Sequence, residues 1–366
     1  MKITLPSYYR EFRCIDRECE DTCCAGWEVD VDEEKYQYYK TVKGNIGKRL
    51  EDVMIPKEKG EGCSFRLKEN KRCPFLNEEN LCDLYIELGE ESLCETCTCF
   101  PRFINDYGAT REIGLAPSCF TAAQIMVGRS DPSTLEISEY RSLNINPNDI
   151  DPDLYFRLRI FRKDTFEILW NRDISLNERL MQILLKAEEL EKSLFEDEEY
   201  YNALHLGDYT DIGKAATEPF EGMEVVNPGS WLEVVGESAS FFNSLSDTEV
   251  LCDWYIRFEK ENEIWQQAFE QLIFYYLYRY ILEAVYDCEI VNAVRIGIVA
   301  YISTKRLCVA KFAIQGSISP DEIADIFHLY SRYLEHSEIN FEYYMEQYRS
   351  SYIYSVENIL ADLKLF

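Results

Sequence analysis

Residues 154–170 read LYFRLRIFRKDTFEILW, and their spacing decides the class of fold. Leu154, Leu158, Phe161, Thr165 and Ile168 recur at alternating intervals of four and three, which stacks them on one face of a helix. Working toward the C-terminus, the same signature continues. Ser175 and Glu178 have capping-box spacing ahead of an apolar-periodic run from Leu180 to Phe195. Asp253–Tyr286 is rich in Tyr, Phe, Trp and Leu and holds no helix breaker, which predicts one long helix or a broken pair. Ser319-Pro320-Asp321-Glu322 opens another, with serine as cap, proline first and acids in the first turn. That helix is expected to reach about His336, and a further one to fill Asn340–Leu363. Segment 197–230, with its acids, glycine and proline, reads as a long loop. Polar Gly128–Pro152 holds three prolines and is the best boundary. A mainly α protein is therefore expected, with an N-terminal module over residues 1–130 packed on an all-helical domain over residues 131–366.

Working toward the N-terminus, the character changes. Eleven of the chain's fourteen cysteines lie in the first 119 residues. Trp27–Asp32 alternates apolar and polar as a half-buried strand does, and Gly60-Glu61-Gly62, Cys73-Pro74 and Phe100-Pro101 mark turns. Short strands and helices around a cysteine constellation are expected here. Cys252, Cys288 and Cys308 sit apart in apolar stretches, where a thiol serves as a small core residue. The start of the chain lacks the apolar run and small-residue cleavage site of a secretory signal, and no stretch is long and apolar enough for a bilayer. A cytoplasmic protein without a membrane partner is expected. In a reducing compartment a dense cysteine cluster points to metal rather than disulfides.

Charge narrows the function classes. With 38 Lys+Arg against 67 Asp+Glu, the formal net charge is −29. Binding nucleic acid through phosphate neutralisation needs clustered cations, so no nucleic-acid partner is expected. Only three histidines are present, which limits any imidazole chemistry. His328 and His336 fall two turns apart on one expected helix and read as ordinary helix residues. No glycine-rich turn of the doubly wound, dinucleotide-binding kind is found.

The cysteines that carry a pattern are Cys14, Cys19, Cys23 and Cys24, then Cys73, Cys82, Cys97 and Cys119. Thiolates are soft ligands suited to zinc or to iron–sulfur clusters. Paired Cys-x2-Cys knuckles of a zinc ribbon do not describe the set. Nor does the triplet of radical S-adenosylmethionine enzymes, because Gly26 stands where it would close. Spacing does not choose between the metals. Arg102 is the cation best placed to lower a ligand's pKa or to grip a carboxylate. Trp27 could stack on a cofactor, although the alternation around it favours the core. The tyrosines and phenylalanines are expected mostly to build helix contacts, although the run Phe274-Tyr275-Tyr276, with Tyr278 and Tyr280, could line a groove for a peptide.

Several of these stretches resemble the flagellin lysine-N-methylase family. They are Pro6-Ser7-Tyr8-Tyr9 through Phe12-Arg13-Cys14-Ile15, Cys19 to Trp27, Cys73-Pro74-Phe75-Leu76 to Cys82, Leu88-Gly89-Glu90, Thr96-Cys97 to Pro101-Arg102, and Ser118-Cys119. A looser resemblance links them to zinc- or iron-chelating cysteine-rich domains. The motifs cover residues 6 to about 123, and the helical remainder is similar only in general character, including Tyr330-Ser331-Arg332-Tyr333-Leu334-Glu335-His336. The resemblance implies a [4Fe–4S] protein that moves a methyl group from S-adenosylmethionine to lysine amines of flagellin or a similar lysine-bearing surface protein. It also implies the eight motif cysteines as the metal set, more than the four one cubane takes. Cys63, Cys94 and Cys99 depart from the motif. The alternative is a non-catalytic metal-binding or chelating module, with zinc as the other metal, joined to a helical partner-docking domain. A third is a peptide-modifying enzyme using the same cluster for other chemistry.

Overall fold

Among the described residues, five helices begin on a side-chain cap, at Asp32, Asp151, Ser175, Ser319 and Ser337. The structure is a computed structural model that describes residues 1–19, 21–26, 29–58, 60–69, 71–139, 150–195, 229–245, 248–262 and 264–365. The first half of the chain runs β1 (Lys2–Pro6), β2 (Asp30–Val31), α1 (Glu33–Tyr39), α2 (Gly44–Val53), β3 (Met54–Pro56) and β4 (Cys63–Phe65). It continues with α3 (Asp83–Leu88), α4 (Glu95–Cys99), β5 (Arg102–Tyr107), β6 (Thr110–Leu115), α5 (Phe120–Val127) and β7 (Leu135–Glu139). Helices follow: α6 (Pro152–Leu169), α7 (Leu176–Lys192), α8 (Gly229–Ser244), α9 (Thr248–Glu261), α10 (Trp265–Tyr280), α11 (Ile290–Gln315), α12 (Pro320–Glu335), α13 (Glu338–Ser350) and α14 (Val356–Leu365). The protein is mainly α, with a helical C-terminal region and short strands.

Two compact units make up the chain. One is Arg13–Phe103; the other joins Met1–Phe12 to the described residues from Ile104 onward. The cysteine-rich unit is thus narrower than residues 1–130.

In the larger unit, four strands form a sheet in the order β5-β6-β1-β7. β1 runs parallel to β6, with Lys2 opposite Thr110, and antiparallel to β7, with Lys2 opposite Glu139 and Pro6 opposite Leu135. β7 corrects the expectation of an all-helical stretch after residue 130. Leu135-Glu136-Ile137-Ser138-Glu139 alternates with period two, but the polar composition around it hides the strand. Its partner β1 lies at the other end of the module, so no local signal supplies the pairing.

α6 starts where Asp151 accepts from the backbone N–H groups of Asp153 and Leu154, with Pro152 in the first turn. Its buried face holds Leu154, Leu158, Phe161 and Thr165 as expected, but ends on Leu169, while Ile168 is half-buried. Both capping boxes are present, Ser175 with Glu178 on α7 and Ser319 with Glu322 on α12. Asp253–Tyr286 is the broken pair. α9 ends near Asn262, whose side-chain amide donates to the Phe258 carbonyl at 2.7 Å, and α10 passes into a 3-10 turn at Ile281–Val285. The single helix expected over 340–363 is divided by a 3-10 turn at Tyr352–Tyr354. α11 is buried along nearly its whole length and packs against α7, α8 and α10. None of the described helices is long and apolar enough to cross a membrane. Cys308 is fully buried in α11, whereas Cys252 and Cys288 are only partly covered. The expected loop at 197–230 lies outside the described residues up to 228.

In the smaller unit, β2, β4 and β3 form an antiparallel sheet in that order, with Val31 and Pro56 both opposite Cys63. Gly62, just before β4, has φ +81°, and a Cβ there would stand 2.0 Å from the Val31 carbonyl oxygen. Only glycine fits so close an approach. The core of this unit gathers Val31, Tyr39, Leu50, Phe65, Phe75 and Leu84 around Cys63, Cys73 and Cys94, with Cys24 and Cys82 packed against it. Of the strand expected over Trp27–Asp32, the described residues show Asp30–Val31, and Trp27 lies outside the described residues.

Candidate metal centre

Three loop cysteines of the smaller unit are tied together by backbone. The Cys73 N–H donates to the Cys24 carbonyl at 2.7 Å, the Leu76 N–H donates to the Cys73 carbonyl, and Leu76 pairs with Cys82 in an isolated bridge. Two more come from the start of α4. Cys94 is its N-cap residue and Cys97 lies one turn on, so their sulfurs are 3.5 Å apart. α4 is fixed in place by polar contacts. Asp32, the N-cap of α1, accepts from the backbone N–H of Lys35 and of Glu95, both at 2.9 Å. Burial alone would raise the Asp32 pKa, but these backbone donors and Lys35 hold it below the ordinary value. The Thr96 hydroxyl donates to the Asp30 carbonyl at 2.7 Å, and the buried Tyr39 hydroxyl donates to that of Ser92 at 2.7 Å.

The thiols feel one another. Cys97 is pushed far up by its hydrogen bond with Cys94, by burial, and by charge on Cys94, Cys24 and Cys73. Its neighbour Cys94 is held down, chiefly by the same hydrogen bond. Burial raises Cys73 to about 12, with charge on Cys24 and Cys82 adding to it. Cys82 is raised by burial and by charge on Cys24, and Cys14 likewise, with Cys24 again among its neighbours. Mutual repulsion of this kind is what a cation relieves, since thiolates are the ligating form. Among the described residues, no three Cys, His, Asp or Glu side chains converge closely enough to enclose a single metal ion. A cubane spaces its thiolates more widely, because each binds a different iron. Soft thiol donors from five positions fit a thiolate-ligated group in chemistry.

Of the eight motif cysteines, Cys14, Cys19, Cys23, Cys24, Cys73, Cys82 and Cys97 lie in the unit Arg13–Phe103, and Cys119 lies in the other. Cys24, Cys73, Cys82 and Cys97 form the neighbourhood just described. Cys14 is exposed and accepts from the Asp16 N–H at 3.5 Å, while the Cys19 thiol donates to the Asp21 carbonyl at 3.3 Å. Cys119 is the N-cap residue of α5; its neighbour Ser118 bonds to His336 at 2.6 Å. Burial, with Arg279 and Arg332 nearby, lowers the His336 pKa to about 3. Arg102 opens β5, directly after the cis Phe100–Pro101 bond, and is half-buried. Cys94, outside the motif, joins this neighbourhood. Cys94-Glu95-Thr96-Cys97 is a Cys-x2-Cys pair at a helix start, and that spacing is its signal in the sequence.

The tyrosine run of α10 is no surface groove. Tyr275, Tyr276, Tyr278 and Tyr280 are buried, and three of them surround the interior carboxylate of Glu335. The hydroxyls of Tyr275 and Tyr280 each donate to it at 2.7 Å and that of Tyr276 at 3.3 Å. The Ser331 hydroxyl and the Arg279 guanidinium, at 3.1 Å, complete the shell. A carboxylate has about four lone-pair sites, so these five donors satisfy Glu335 in the interior.

A chain with a cysteine-rich unit and a mainly helical unit is the class of protein these observations define. The family described as FliB lysine N-methylase C-terminal domain matches residues 162–361, more than half of the chain, and the chain belongs to that family. The match falls on the helical part, where sequence reading found only general similarity. Over 141 residues the chain is 26% identical to a protein named lysine-N-methylase from Salmonella typhimurium, covering 37% of this chain and 35% of that one. A lysine-N-methylase from Salmonella choleraesuis gives the same figures. Similarity to the flagellar biosynthetic protein FliU of Salmonella muenchen is 26% identity over 146 residues, 39% of this chain and 85% of that one. The chain thus spans about a third of the length of the lysine-N-methylases it matches. No solved structure matches it.

Proposed function

We propose that this chain is a protein-lysine N-methyltransferase acting from the cytoplasm on flagellin or a similar lysine-bearing surface protein, with S-adenosylmethionine as methyl donor and a [4Fe–4S] cluster in the unit Arg13–Phe103. Membership of the FliB lysine N-methylase family over residues 162–361 carries this reading. The thiol neighbourhood supports the cluster. Four thiolates saturate a cubane, and four of Cys24, Cys73, Cys82, Cys94 and Cys97 would hold it. When bound, such a cluster supplies an iron centre whose charge offsets the thiolates.

Methyl transfer itself needs a neutral amine. Its lone pair attacks the methyl carbon, the carbon–sulfur bond breaks, and the sulfur keeps the pair as S-adenosylhomocysteine. The extra proton on nitrogen then passes to a carboxylate or to water. The acidic surface raises the local concentration of a lysine-bearing substrate and speeds encounter more than it holds the complex.

One observation favours zinc and the non-catalytic reading. Two thiolates on a tetrahedral zinc, with bonds of about 2.3 Å, stand about 3.8 Å apart, close to the 3.5 Å between Cys94 and Cys97. Anaerobic purification separates the two: the methylase reading expects a brown protein with about four irons and four sulfides per chain, and a colourless zinc protein contradicts it. Equilibrium dialysis with labelled S-adenosylmethionine then tests the donor, and no binding by the reconstituted protein rules it out.

A further inference from the structure

We propose that the outer face of α8 is a docking trough for an amphipathic, lysine-bearing helix of the protein substrate. The lysine-acting reading above supplies the substrate's chemistry; the trough itself rests on other residues. Its volume is about 660 Å³, and Leu232, Glu233, Gly236, Glu237, Ser240 and Ile314 line it.

Side-chain size makes the trough. Leu232, Gly236, Ser240 and Ser244 recur once per helical turn, so one strip of α8 falls from a large side chain to small ones over about 18 Å. Leu232 and Ile314 are half exposed, at 50% and 51%, which leaves apolar walls without a cover among the described residues. Gly236 is the telling position. A glycine inside a helix costs about 1 kcal/mol relative to alanine. At Gly297 in α11 that cost has an internal reason, because a Cβ would stand 2.9 Å from the Tyr276 Cβ. At Gly236 a Cβ would meet nothing within 4 Å among the described residues. The open space over Gly236 suits the close approach of another chain.

Charge selects the occupant. Glu233 and Glu237 lie on the trough and form no ion pair among the described residues. These carboxylates oppose a second copy of a chain of net charge −29. An incoming helix with an apolar ridge and flanking lysines meets both needs: its ridge fills the trough and its ammonium groups face the two glutamates.

The test uses the full chain and a fluorescent synthetic peptide of about five helical turns, leucines on one face and lysines on the other, read by anisotropy without S-adenosylmethionine. Saturable binding is expected. It should weaken by about tenfold or more in the Glu233→Lys/Glu237→Lys variant, and equally in Gly236→Phe, which fills the trough with both charges intact. Gly236→Ala, a smaller filling, should bind more like wild type, and thermal melts verify that each variant is folded. Docking is overturned if the peptide does not bind, if all variants bind alike, or if wild type sediments as a dimer that Gly236→Phe dissociates. In flagellin methylation, an unchanged KM in Glu233→Lys/Glu237→Lys overturns docking while the methylase reading stands. Peptide binding without any methyl transfer counts against the methylase reading and supports the trough.

Discussion

Replacing Glu335 with glutamine removes the charge at the centre of the α10–α12 interface while keeping its shape. The Glu335 side chain is fully buried and faces the Arg279 guanidinium, itself about one-fifth exposed, at 3.1 Å, so the substitution takes one carboxylate away from Arg279. Breaking a buried pair by removing one partner costs about 3–5 kcal/mol. The amide also turns one acceptor oxygen into a donor against the hydroxyls of Tyr275, Tyr276, Tyr280 or Ser331, and each stranded hydroxyl costs about 1–3 kcal/mol. These contributions overlap and do not add, and Arg279 keeps some solvent, so a loss of about 3 kcal/mol is expected. Glu335→Leu strands all the donors together and should approach the whole stability of an ordinary domain, about 5–15 kcal/mol. Urea unfolding followed by far-ultraviolet circular dichroism, with equal m-values, measures the change. Glu167→Gln is the control: its partner Lys163 is a surface neighbour one turn away, and its loss should not be measurable. If Glu335→Gln unfolds at the same urea concentration as Glu167→Gln, the reading of Glu335 as the charged hub of this interface is refuted.

Other outcomes follow from single positions. Glu191 accepts from the Val291 N–H at 2.7 Å at the start of α11. Burial raises its pKa to about 7, against the lowering effects of that N–H and Arg295. A carboxylate raised on folding contributes stability that is complete below its ordinary value near 4.5 and lost as pH rises through about 7. The interval corresponds to about 3 kcal/mol, and Glu191→Gln should abolish this part of the stability loss between pH 5 and 8; an unchanged slope contradicts it. Gly62→Ala forces a Cβ onto the Val31 carbonyl and should cost more than about 2 kcal/mol, read as a lowered melting temperature. Cys94→Ser should lower the metal content of the anaerobically purified protein, while Cys308→Ser, in the interior of α11, should leave it unchanged. Equal metal content in both removes Cys94 from the centre.

What the sequence discloses and what it hides divide along the range of the interactions involved. Ser175 with Glu178 and Ser319 with Glu322 are legible because a capping box is complete within four residues. The face of α6 is legible to within one residue, Leu169 in place of Ile168, because periodicity is local. β7 is not legible, since its pairing with β1 is made across more than a hundred residues and its surroundings are polar. The polar partner of the α10 tyrosines is not legible, because their anion, Glu335, lies some sixty residues away. In the cysteine unit the motif drew together Cys24, Cys73, Cys82 and Cys97. Cys94 lies outside the motif but beside Cys97 in the fold, and Cys119 belongs to the other unit.

Methyl transfer is the most direct test of the proposed activity. Wild-type protein, purified and reconstituted without oxygen, is incubated with S-adenosylmethionine and flagellin, and the lysines are read by mass spectrometry. Methylated lysines with wild type, and none with a Cys94→Ser/Cys97→Ser variant that still unfolds cooperatively, are the expected result. Unmodified lysines with a wild-type protein of full iron content, or equal methylation by the variant, would contradict it.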